Sequence, residues 1–145
     1  MVSGQHRNKG QAIVSSADNA LLAQTCPDLE DWPLRWQYEA ADLVPGSAIV
    51  AAFKPFLLGL LRRKVSKTTF NRDRRNLWQA GGELIRRRHA GPDLAQLPIG
   101  ELITQLIEED GGPLIWPRIS ETEQNAIDAT CRKLHRFLNH STPVK

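Results

Sequence analysis

Apolar side chains return at intervals of three and four along much of this chain. The spacing runs through Ile49, Val50, Phe53, Phe56, Leu57, Leu60 and Leu61, through Ile99, Leu102, Ile103, Leu106 and Ile107, and through Ile127, Cys131, Leu134 and Leu138. Three and four residues bracket the turn of an α-helix, so each segment carries an apolar stripe that needs a second stripe to cover it. The period of a strand occurs once, in Trp32, Leu34, Trp36 and Tyr38, and that alternation predicts an extended segment. With 145 residues and 41% apolar content, the chain is long enough for one core. The expected fold class is all-α, a four-helix orthogonal bundle.

Capping residues divide the helices. Ser47, after Pro45 and Gly46, is placed to cap the first, and Pro55 is expected to kink or restart it. Ser66 caps a second helix that carries Phe70, Leu77, Trp78, Gly81, Leu84 and Ile85 on one side. Glycine costs a helix about 1 kcal/mol relative to alanine, so the pair Gly81-Gly82 predicts a close neighbour or a bend. Pro98 opens a third helix, ended by Asp110-Gly111-Gly112-Pro113. Residues 114–119 read as a buried connector, and Ser120 to Glu123 is a capping box for the last helix, where Asp128 and Arg132 are spaced to pair. Residues 1–46 are expected to form an N-terminal extension, with a disordered leader over the first fifteen or so and a short helix at 17–24, and residues 47–145 the helical domain. No apolar run approaches the roughly 18–20 residues of a membrane span, because Lys54 and Pro55 interrupt residues 49–61. No secretory signal pattern opens the chain, so a soluble cytoplasmic protein is expected. Cys26 and Cys131, without a CxxC pattern, read as two reduced thiols, Cys131 in the core.

Charge is sharply segregated. Residues 53–89 hold eleven Lys or Arg against Asp73 and Glu83, a net of +9; residues 1–52 carry three basic and six acidic groups, and residues 90–145 five and eight, so each flank is −3 and the sum is +3. Such a basic hairpin points to a polyanion, whose binding releases counterions. Lys64, Lys67, Arg72 and Arg75 are the preferred phosphate contacts, with Arg62 and Arg63 at the turn and Arg86 further along the second helix. The helix start at Ser66, with the hydroxyls of Thr68 and Thr69, offers free N–H groups to a phosphate, and Asn71 and Gln79 could reach base edges. The rival reading is a protein-interaction module that docks an acidic partner or a second copy. Trp32 and Trp36 beside Asp28, Glu30 and Asp31 read as packing groups rather than stacking platforms.

Catalysis has little to work with. Glu108, Glu109 and Asp110 could hold a divalent metal, which would make a metal-dependent nuclease, but such a run is more often a solvated helix end. His6, His89, His135 and His140 have no nucleophile motif around them, and neither GxGxxG nor GxxxxGK[ST] occurs. No catalytic residue, metal or cofactor is expected.

From Phe53-Lys54-Pro55-Phe56-Leu57 through Arg63-Lys64-Val65-Ser66-Lys67-Thr68-Thr69-Phe70 to Leu77-Trp78, the chain resembles the core-binding, SAM-like domain of tyrosine recombinases and phage integrases. A leucine- and aromatic-rich first helix, a short turn and a Ser-x-x-Thr opening carry the likeness, which covers about residues 47–139. It implies a DNA-gripping module, with double-stranded DNA as partner and a recombinase as a possible second one. The catalytic half of that family is missing here: there is no His-x-x-Arg, and the sole tyrosine, Tyr38, precedes the resembling region. The resemblance therefore implies DNA binding without recombination.

Overall fold

The computed structural model describes residues 15–140, and these are all-α: seven helices and no strand among them. The disordered leader expected at the N-terminus, including His6, falls outside the described residues apart from Ser15. Helix α1 spans Ser16–Thr25, α2 Trp32–Trp36, α3 Leu43–Arg62, α4 Lys67–Ala90, α5 Pro92–Ala95, α6 Ile99–Leu106 and α7 Glu121–His140. Helices α3, α4 and α7 form the frame, each burying most of the stripe its spacing foretold.

The tryptophan segment is a helix, not the expected strand. Positions 32 and 36 are two pleats apart and also one helical turn apart, so their spacing alone fits both structures. Burial separates the alternatives: Trp32 and Trp36 lie inside, with ring centroids 5.7 Å apart, while Leu34 and Tyr38 are exposed. Each buried indole satisfies its N–H, Trp32 donating to Asp28 Oδ2 at 2.9 Å and Trp36 to the carbonyl of Trp78 at 3.0 Å. Leu22, Cys26 and Leu29 join the same core, so residues 15–46 are part of the packed structure.

Helix α3 starts at Leu43, and Ser47 lies inside it rather than at its cap. The turn Ala40–Asp42 feeds straight into α3, because Asp42 Oδ2 accepts the N–H groups of Tyr38 and Glu39 at 2.9 and 3.1 Å. Pro45 costs nothing in the first turn, where N–H groups have no helical partner, and α3 runs through Pro55 without a break. Residues 40–62 make one stretch long and apolar enough to cross a membrane by length and composition, contrary to the sequence expectation, and half of it is buried inside the protein.

Ser66 caps α4 as expected, its Oγ accepting the N–H of Thr69 at 3.0 Å. The close neighbour foreseen at Gly81-Gly82 is the Trp36 indole. A Cβ on Gly81 would sit 2.4 Å from Cη2 and Cζ2 of that ring. Gly81→Ala should therefore destabilise the fold by about 1–3 kcal/mol in urea unfolding despite the better helix former, because a buried ring must move aside.

Helix α6 ends at Leu106, and the following turn is pinned by reciprocal backbone bonds between Glu108 and Gly111. The expected connector is only partly buried: Ile115 is inside, but Leu114 and Trp116 are exposed. Gln124 holds it, Oε1 accepting the N–H groups of Ile115 and Trp116 at 2.7 and 2.9 Å. Ser120 and Glu123 exchange both bonds of the capping box. Asp128 does not pair with Arg132; its Oδ1 accepts the Gly112 N–H, and Arg132 donates to the Asp110 carbonyl. Cys26 and Cys131 are free and buried, and burial pushes their thiols up to about 11 and about 12.

Candidate nucleic-acid interface

Helix α4 turns by about 100° per residue, which places Asn71, Arg72, Arg75, Trp78, Gln79, Gly82 and Arg86 within about a third of its circumference. The opposite side is spent on the core, through Phe70, Leu77, Ala80, Leu84 and Ile85. Trp78 was expected on that apolar side; it lies on the outward face instead, 39% exposed.

Two adjoining clefts border this face. The first, of about 520 Å³, is lined among others by Arg35, Trp36, Tyr38, Trp78, Gln79, Gly82, Arg86, Arg118 and Glu123. The second, of about 530 Å³, is lined by Asp28, Arg35, Asn71, Arg74, Arg75 and Trp78. Arg35 and Trp78 belong to both. The wall of the first cleft is built on Glu83, whose side chain is 2% exposed and accepts from three guanidiniums. Arg86 donates at 3.0 and 2.9 Å, Arg87 at 2.7 Å and Arg118 at 2.6 Å. Burial opposes the charge on Glu83, but these donors overcome it and hold the carboxyl down at about 2. Three cations on one anion leave a local charge of +2, and Arg86 and Arg118 are about half exposed.

The candidate residues divide by what already holds them. Arg62 is engaged, its Nη2 lying 2.9 Å from both oxygens of Asp18. Arg86 is engaged by Glu83. Outside the candidate set, Lys54 pairs with Glu30, Arg74 with Asp28, and Arg88 donates to the Ala95 carbonyl. Arg63, Lys64, Lys67, Arg72 and Arg75 are exposed and make no ion pair among the described residues. They do not form a single surface. Arg63 lines a separate cleft of about 460 Å³ with Phe56, Lys133, Arg136, Phe137 and His140, none of which borders the α4 groove. Lys64 forms the turn between α3 and α4 with a positive φ of 57°. Ser66 is occupied with its cap and donates its hydroxyl to Thr69 Oγ1 at 3.0 Å, while Thr68 is exposed and Asn71 accepts from Arg74 Nε at 3.1 Å. Gln79 lines the first cleft.

Arg35, Tyr38, Trp78 and Arg118 are the groove residues that sequence reasoning missed. Only Trp78 left a signal, since it falls three residues after Arg75 and four before Gly82 on the arginine face. Arg35 and Arg118 come from α2 and the connector, and tertiary packing brings them there. The acidic run Glu108 to Asp110 is exposed and joins no metal-ligand grouping among the described residues. The grouping that does form, Glu39, Asp42 and His89, has ligand atoms within 4.8 Å of one another; Asp42 Oδ2 there is already taken by two backbone N–H groups, and Tyr38 stacks on the His89 ring.

No family model, curated protein or solved structure matches this chain.

Proposed function

We propose that this protein is a non-catalytic DNA-binding module that grips the sugar–phosphate backbone with the outward face of α4. The observation that carries this reading is the groove charge. Arg35, Arg74, Arg75, Arg86 and Arg118 line the two clefts against Asp28, Glu83 and Glu123, and exposed Arg72 and Arg75 stand on the same face without a carboxylate partner among the described residues. Excess positive charge along a groove is what a polyanion compensates, and counterion release supplies the driving force. In this reading the module grips DNA, as its resemblance to the core-binding, SAM-like domain of tyrosine recombinases implies.

Fluorescence anisotropy with a labelled oligonucleotide at several salt concentrations tests it. If about five cations meet phosphates, log affinity should fall with log salt at a slope of about −4 to −5. Replacing Arg72 and Arg75 together by Ala should weaken binding to every sequence alike and make the slope shallower by about 2, with thermal stability unchanged, since neither side chain is buried. A flat salt response overturns the reading, as does a stable dimer by light scattering that ignores DNA.

A further inference from the structure

We infer that the α4 groove takes unpaired nucleobases, one of them stacked on Trp78, so that its preferred ligand is single-stranded nucleic acid; this rests on the nucleic-acid reading above. The bundle covers Trp78 only in part. Phe70, Leu77, Leu84 and Ile85 on the same helix are buried to within a few per cent, whereas Trp78 stays 39% exposed and contributes its backbone carbonyl, not its ring, to the Trp36 hydrogen bond. Leaving about two-fifths of so large an apolar side chain in water costs stability that a ligand can return.

The position of Trp78 tells what kind of ligand. It stands between two clefts of about 520 and 530 Å³, each roomy enough for a planar heterocycle, and Arg35 borders both. Amide side chains line both clefts, Gln37 and Gln79 the first and Asn71 the second, and amides match the donor and acceptor edges of bases. Tyr38, 57% exposed and stacked on His89 at 4.9 Å, offers a second aromatic face in the first cleft. A duplex hides the faces of its bases in its own stack, so an aromatic platform inside a cationic groove is matched only by bases that are free of that stack. The cations meet the phosphates on either side.

The test compares three labelled probes of equal length by anisotropy: an oligothymidylate, a duplex, and an abasic strand that keeps the phosphates but lacks the bases. The oligothymidylate should bind at least tenfold more tightly than the abasic strand. Trp78→Ala should remove most of that advantage without changing the salt slope, and Trp78→Phe should restore part of it, with circular dichroism and the melting temperature confirming that both variants fold. Equal affinity for all three probes, or a folded Trp78→Ala that binds them as the wild type does, overturns the inference while leaving the electrostatic reading intact. Failure of every probe to bind at low salt overturns both.

Discussion

Glu83→Ala should lower the unfolding free energy by about 3–5 kcal/mol in urea denaturation, because it removes the acceptor shared by Arg86, Arg87 and Arg118 and leaves a cavity among three cations. The guanidiniums can regain water at their exposed edges, which places the effect nearer the lower figure. Glu83→Gln keeps the volume and separates charge from packing. The same carboxylate makes the protein acid-sensitive. Its folded value of about 2 lies below the ordinary 4.5, so the stability it confers is complete above 4.5 and disappears as pH falls towards 2. Allowing for screening at the exposed arginines, that amounts to about 2–3 kcal/mol. Urea midpoints measured between pH 5 and pH 2 should fall more steeply for the wild type than for Glu83→Gln, and parallel curves would refute the assignment.

Asp73→Ala should be of similar size, about 3–4 kcal/mol. Asp73 is fully buried between α4 and α7, where Lys133 Nζ reaches Oδ2 at 2.6 Å and the Thr130 hydroxyl donates to Oδ1 at 2.7 Å. Asn76 completes the network by donating to Thr130 Oγ1 at 2.9 Å and to the Ala126 carbonyl at 3.1 Å. Without Asp73 the ammonium loses its counterion and the hydroxyl its acceptor, both within the α4–α7 contact. Adding Lys133→Met should recover part of the loss, since an apolar side chain leaves no charge to satisfy. A double-mutant cycle in urea measures this coupling, and additive losses would show that the two groups act independently.

These networks explain where sequence reasoning reached its limit at the candidate site. Helical spacing correctly put Arg72, Arg75 and Arg86 on one face of α4. It could not tell that Arg86 shares Glu83 with Arg118, or that Arg62 is held by Asp18, because those partners are 35 and 44 residues away from Glu83 and Arg62 in the chain. The charge segregation between a basic hairpin and acidic flanks is in part an internal arrangement: Asp18, Asp28 and Glu30 from the N-terminal flank pair with Arg62, Arg74 and Lys54. The expected single surface of cations accordingly becomes a groove along α4 and a separate cleft at Arg63.

Local signals decided what depends on neighbours in the chain: the all-α class, the Ser66 cap and the capping box at Ser120. Each is a property of backbone hydrogen bonding or side-chain spacing within about one helical turn, and such properties are written in the residue order. Tertiary structure alone decided that Trp32 and Trp36 fold into a helix against α4, that Trp78 faces outward, and which arginines remain unpaired. Those outcomes follow from burial and from contacts between distant segments, where the free energy of excluding an indole from water or pairing a guanidinium outweighs local preference.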